Sequence, residues 1–372
     1  MKSFFNKNSN LTSVIREIIN HGFISRSDIA KNTSINKATI SEICTTLIDK
    51  NIIYEAHEGS ASNQGGRKPI MLAFNFEIGT SISINVSATS IRGILCWLNG
   101  VIIEEIEIPH INIEKDIYQL IKQLVKLNPD TPLGIIGATL GIHGQVINNE
   151  VIFSPIYDIE RNIINNLQSK VNFPIYGENE ANLSAIAEYT FAPNTDNLVN
   201  INIDAGIGAG VIENGVLNNG KTGLVGEIGH NIIVPNGKKC PCGNNGCLEQ
   251  YSSLKAILNS LKEIDNSIST VAQIKSSYFT NKSIKNIIDQ STFYLSIVIN
   301  NIMTLHECDE IIINAELFTI FPELINNVTC HFNNFLTRNL HVTISSLGKD
   351  SVLQGGNVYN MQKLLGIDGL KF

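Results

Sequence analysis

Residues Gly226–Tyr251 read GEIGHNIIVPNGKKCPCGNNGCLEQY, with Cys240, Cys242 and Cys247 inside eight residues. The Pro, Gly and Asn between them favour tight turns, so the three sulfurs can converge. His230 stands one short excursion upstream. Cys3His is a closed tetrahedral donor set for Zn2+ with no position left for a reacting water, which points to a structural ion. Disulfide partners or scattered core thiols are the alternatives. The N-terminus, MKSFFNKNSN, turns polar after Phe5, so no secretory leader is expected. A reducing, cytoplasmic compartment then favours metal over disulfide. Glu227 and Glu249 stand at the two ends of the loop. Zinc is expected to fix the loop, and the loop to present Glu227, His230 and Glu249 to a small polyhydroxy ligand. Ordinary surface charge is the plainer reading of the two carboxylates.

Outward from the loop, 372 residues suit two or three domains, and a hydrophobic fraction of 43% supplies their cores. The longest apolar runs fall far short of a membrane span. The net charge of −7 is unevenly placed: residues 1–70 carry nine Lys and Arg against six Asp and Glu, the remainder 18 against 28. A basic N-terminal piece on an acidic body implies that only the first segment meets a polyanion. Cys44, Cys96, Cys308 and Cys330 sit in apolar contexts and read as core thiols.

Three short helices are expected in that first segment. Val14, Ile15, Ile18 and Ile19 give the first its stripe, and Gly22 ends it. Ser25 opens the second, with Asp28 three residues on in a capping-box pattern. Asn36 caps the third, KATISEICTTLIDK, whose apolar positions Ile40, Ile43, Cys44, Leu47 and Ile48 keep helical spacing. Its other face carries Lys37, Thr39, Ser41, Glu42 and Thr45, groove-facing types for a recognition helix. Two strands, Ile52–Ala56 and Pro69–Phe74, make a wing. The loop between them ends GGRKP, where Arg67 and Lys68 can reach phosphates or a narrow minor groove. The candidate DNA contacts are Ser25, Arg26, Lys37, Thr39, Ser41, Glu42, Thr45, Arg67 and Lys68. Glu42 is either a mild cost near phosphate or a cytosine reader. A three-helix protein-interaction module is the plainer alternative.

This segment resembles the winged helix-turn-helix of the ROK family (repressors, open reading frames, kinases), and the 226–251 loop resembles the hallmark of that family's sugar-kinase-like body. The resemblance covers nearly the whole chain. It implies an α/β body of two actin-like, sugar-kinase-like lobes preceded by a winged helix-turn-helix. The expected limits are 1–74 for the reader and linker, 75–190 for the first lobe, rejoined by a C-terminal helix at about 351–372, and 191–350 for the second lobe. The order βββαβ in residues 81–152 fits the first lobe.

The resemblance also carries site residues. Glu178-Asn179-Glu180-Ala181-Asn182 is similar to Glu-Asn-Asp-Ala-Asn of the kinases, whose Asn and Asp grip the sugar and whose Asp is the general base. Glu180 occupies the Asp place, and Asn179 and Glu180 equally suit capping of the next helix. Glu227, His230 and Glu249 match sugar-contacting positions; His230, Cys240, Cys242 and Cys247 match the metal ligands. The tract GIHGQV, 141–146, resembles a Gly-Pro-Gly loop without its proline. Other positions depart from the kinases: Asn85 for Asp, Ala205 for Thr in the glycine-rich turn, and Ala315-Glu316 for Gly-Gly. The glycines at 206, 208 and 210 fit either a close-packed turn or a residual anion site.

These departures harm nucleotide use and spare the sugar grip. The expectation is a non-enzymatic repressor of carbohydrate-utilisation genes. It binds an operator as a homodimer or higher homo-oligomer, and a monosaccharide or derivative entering the cleft between the lobes induces it. The alternatives are an active ATP-dependent sugar kinase carrying a DNA module, and a repressor controlled by a phosphotransferase-system protein.

Overall fold

The computed structural model describes residues 5, 9–59, 68–155, 158–191, 195–332, 335, 337 and 340–372. The chain begins with α1 (Ser9–His21), β1 (Ile24–Ser25), α2 (Arg26–Thr33), α3 (Lys37–Asp49), β2 (Ile53–Glu58) and β3 (Ile70–Phe74). Val14, Ile15, Ile18 and Ile19 are buried as their spacing requires, and Gly22 turns the chain at φ +67°. Ser25 Oγ accepts from the Asp28 amide, and Asn36 Oδ1 from the Thr39 amide, so both helices are capped. The sheet order is β1-β3-β2. The strand β1 was not legible in the sequence: two residues that pair with Leu72 and Met71 are too short to show a period.

Next come β4 (Thr80–Val86), β5 (Ser90–Trp97), β6 (Ile102–Pro109), α4 (Ile113–Lys126) and β7 (Ile135–Ile142). Beyond β7 the chain forms a hairpin, β8 (Gln145–Ile147) and β9 (Glu150–Phe153). Asn148 and Asn149 both take positive φ, the backbone that a two-residue turn needs. Then follow α5 (Ile163–Gln168), β10 (Ile175–Asn179), α6 (Glu180–Phe191), β11 (Leu198–Ile203), β12 (Ile207–Glu213) and β13 (Val216–Leu217). The remainder is α7 (Glu249–Ser252), α8 (Leu254–Lys262), α9 (Val271–Tyr278), α10 (Lys282–His306), β14 (Glu310–Ala315), α11 (Glu316–Ile320), α12 (Leu324–Thr329), β15 (His341–Ile344) and α13 (Ser351–Leu365). Between residues 321 and 339 the described helix is α12.

The chain divides into two compact units: 1–141 with 162–177 and 356–372, and 142–161 with 178–355. The sequence reading set its boundary at 190/191; in the structure the segments 142–161 and 178–190 cluster with the later residues. In the first unit the body sheet runs β10-β7-β4-β5-β6. Asn360 of α13 stitches it, donating to Ser81 Oγ and the Ile82 carbonyl and accepting from Thr139 Oγ1. The chain end folds back on the N-terminal segment. Asn20 of α1 accepts from the Lys371 amide at 3.0 Å, Leu370 is buried, and Phe372 meets Phe76 edge to face. In the second unit the sheet runs β13-β12-β11-β14-β15. Helix α6 lies buried against β11 and β12, and Gly210 lets it in: a Cβ there would stand 2.4 Å from the Ala181 carbonyl and from Ala185 Cβ. Close packing accounts for that glycine.

Candidate ligand pocket and metal centre

Residues 226–247 carry little regular structure and are shaped by turns and glycines. Gly226 (φ +92°) and Gly246 (φ +87°) hold backbone only glycine adopts easily, and a Cβ would press 1.8 Å from the Ala209 carbonyl and 1.7 Å from the Val234 carbonyl. The Cys240 amide donates to the Asn244 carbonyl, and bridges Ile232↔Cys247 and Lys239↔Asn245 tie the loop's two sides. One ligand atom from each of His230, Cys240, Cys242 and Cys247 lies within 4.8 Å of all the others. Cys242 Sγ and Cys247 Sγ stand 3.7 Å apart, and Cys240 Sγ lies 3.6 Å from His230 Nδ1. Tetrahedral zinc with ordinary bond lengths needs about 3.8 Å between sulfurs and about 3.6 Å between sulfur and nitrogen. The donor set and its spacing therefore fit that ion. Gln250 Nε2 approaches Cys240 Sγ from outside the set.

The other imidazole nitrogen, His230 Nε2, faces Glu227 Oε2 at 3.7 Å. Glu227 lies above the usual carboxylate range: burial and the Glu249 carboxylate push it up, against the pull of His230. Glu249 opens α7, and its Oε2 accepts from the Ile207 amide, which anchors the β11–β12 turn to the loop. Gly206 makes room for that carboxylate, since a Cβ there would sit 2.8 Å from Glu249 Oε2.

Asn179, Glu180, Glu227, His230 and Glu249, singled out in the sequence, line one small cavity of about 70 Å3, all within the second unit. No Lys or Arg is among the described residues that line it. Asn179 Oδ1 accepts from the Ala181 amide and so caps α6, while its Nδ2 donates to the Gly144 carbonyl. The sequence reading missed His143. This side chain is buried at the β7–β8 turn, with Nε2 2.7 Å from Glu180 Oε2. Burial works against its imidazolium, but Glu180, with Asp204 as a further negative neighbour, outweighs it, so His143 lies above the ordinary 6.5. The signal for it was the histidine standing where the proline of the GIHGQV tract was expected.

In the reader, Lys37, Ser41, Glu42 and Thr45 are exposed on α3 and Thr39 is half-buried. Lys68 is exposed beside Glu58. Ser25 is only 1% exposed and its hydroxyl serves the α2 cap, so it does not share that surface. Arg26 is half-buried and pairs with Glu55 at 3.1 Å. Arg67 lies outside the described residues. No helix among the described residues is long and apolar enough to cross a membrane.

A winged three-helix segment, a kinase-like body and a Cys3His loop beside a polar pocket define one class of protein, and residues 81–363 match the sequence model of the ROK family. The chain belongs to that family. Along nearly its whole length it is similar to xylose repressors. It is 34% identical to that of Bacillus spizizenii over 378 residues, 98% of this chain and 97% of the relative. It is 31% identical to that of Staphylococcus xylosus over 389 residues, 100% and 99%. Among solved structures, a ROK family transcriptional regulator described as a homolog of the E. coli MLC protein superposes with TM-score 0.79 at 23% identity, over 96% of each chain. A ROK family glucokinase from Streptomyces griseus, solved with glucose and AMPPNP, superposes with TM-score 0.65 at 20% identity, over 76% of this chain and 100% of its own.

Proposed function

We propose that this protein is a cytoplasmic, non-catalytic transcriptional repressor of carbohydrate-utilisation genes. An uncharged monosaccharide, bound in the Asn179–Glu180–Glu227–His230–Glu249 pocket, releases it from its operator. The observation that carries this reading is the pocket's chemistry. Carboxylates, an amide and imidazoles supply acceptors and donors for several hydroxyls, and the described lining residues include no Lys or Arg for a phosphate. The relatives it matches end to end are named xylose repressors. Asn85, Ala205 and Ala315-Glu316 withdraw the groups that a kinase of this fold uses on its nucleotide. Glu180 moves the carboxylate of the general-base position by about 1 Å, a shift that can cost ~100-fold in rate.

Zn2+ held by His230, Cys240, Cys242 and Cys247 would supply rigidity, and no chemical step. With Nδ1 on the metal, His230 keeps its Nε2 proton for Glu227 or a ligand hydroxyl, so the donor is aimed before any sugar arrives. Lys37, Thr39, Ser41, Glu42 and Thr45 face the operator groove, with Lys68 on phosphate. A homodimer or larger assembly places two such helices on two half-sites, because one reads too few bases. Full switching requires the sugar to favour the released state by about 5.5 kcal/mol. A thermal-shift screen against neutral monosaccharides, followed by operator release in a gel-shift assay, tests the reading. A hit that both stabilises the protein and frees DNA is expected. Silence across the panel, or stoichiometric ADP formation from sugar and Mg·ATP, would overturn it.

A further inference from the structure

We infer that His143 is a specificity-determining residue: with Glu180 it closes one side of the pocket and restricts the ligand to a sugar ring lacking an exocyclic hydroxymethyl, an aldopentose in its ring form. This inference rests on the sugar-binding reading above. Several of the pocket's other lining groups are held in place. Gly206 and Gly226 bring backbone against it with no space for a side chain. Glu249 is held by the Ile207 amide, and Asn179 is held between Gly144 and the first turn of α6. His230 belongs to the metal cluster. Besides Phe153, Pro155 and Val225, the lining includes two side chains that reach toward each other from different elements, His143 from the β7–β8 turn and Glu180 from the start of α6.

They meet at 2.7 Å with side chains only 8% and 14% exposed. The residue after His143, Gly144, takes φ +134°, and the Phe153 carbonyl would lie 2.1 Å from a Cβ there, so the turn packs closely against β9. Glu180 is longer by one methylene than the Asp of the kinase motif, and an imidazole stands where that motif's loop has proline. Both differences add atoms on the same side of a cavity of only about 70 Å3. A ring with an extra CH2OH on that side must part a buried carboxylate–imidazole pair; a ring without it leaves the pair intact. One Glu180 oxygen is engaged by His143, so the pair offers the ligand a fixed, directional acceptor and not a mobile base.

Isothermal titration of the full-length zinc-loaded protein with D-xylose and with D-glucose tests this, the two sugars differing by that one group. Wild type is expected to prefer xylose by at least tenfold. His143→Ala should raise the glucose-to-xylose affinity ratio at least tenfold, and His143→Gln, which keeps a donor and much of the volume, should restore the wild-type ratio. Glu180→Asp, which withdraws the carboxylate, should move the ratio the same way as His143→Ala. It carries the test alone if the alanine variant fails to fold by circular dichroism and zinc content. A ratio unmoved in a folded variant, or equal binding of both sugars by wild type, overturns the role of His143. No binding of any monosaccharide by wild type overturns the sugar reading itself.

Discussion

His143 and Glu180 couple the pocket to pH through a buried pair. A histidine whose folded pKa is raised stabilises the fold fully below its unfolded value, and loses that contribution as pH climbs through the folded one. With the folded value above 6.5, the loss falls on the alkaline side of 6.5. The groups facing the imidazole are Glu180 and Asp204. The melting temperature should therefore fall as pH rises from about 6.5, and His143→Gln should flatten that limb while leaving the acid limb to the carboxylates; parallel melts of the two proteins from pH 5 to 9 check it. Gly226 makes a second residue-level case. Its left-handed backbone and the Ala209 carbonyl 1.8 Å from a would-be Cβ leave no accommodation. Gly226→Ala should destabilise by about 2–4 kcal/mol in urea titrations and shift Glu227 out of the pocket.

At the scale of elements, the 226–251 loop and the helix α3 each follow from local signals. The loop's buried apolar side chains are Cys240, Cys247 and Leu248, with Ile228 and Ile233 partly buried against the core, so packing holds only part of it. Its order depends on glycine turns and the Cys3His cluster. Cys240→Ser is expected to lower bound zinc from about one per chain to none, measured by metal analysis, and to abolish sugar-induced thermal stabilisation. A variant that lost metal yet responded normally to sugar would remove the clamp from the explanation. Helix α3 owes its start to Asn36 and its seat to Ile40, Cys44 and Leu47. Its first residue, Lys37, is exposed. Lys37→Ala should weaken operator binding and reduce the salt-dependence slope by about 1, read from fluorescence anisotropy across a salt series.

At the scale of the molecule, the chain's last residues matter to its first unit. Leu370 is buried, Asn20 exchanges hydrogen bonds with Gly369 and Lys371, and Phe372 packs on Phe76, which in turn packs on Phe74 of the wing strand β3. Removing Gly369–Phe372 should cost about 2–4 kcal/mol, from one buried aliphatic side chain and two hydrogen bonds. Hydrogen exchange should then show faster amide exchange in α1 and β3, with the second unit unaffected.

How much of this was legible in advance divides along physical lines. The sequence by itself determined the N-terminal three helices and wing, the convergence of three cysteines with His230, and the long helix α13, because caps, period and turn residues act over a few neighbours. It carried the five pocket residues through motif resemblance. It did not show the two-residue strand β1, the β8–β9 hairpin limits, or the burial of Ser25, where pairing partners lie far along the chain. Nor did it show that the His143 imidazole meets Glu180, 37 positions later. That pair exists only because the β7–β8 turn and the N-terminus of α6 are brought together by packing and by the Asn179–Gly144 hydrogen bond. Contacts between distant residues are set by how elements pack, and no local pattern records them; here that packing supplies the wall to which ligand choice is assigned.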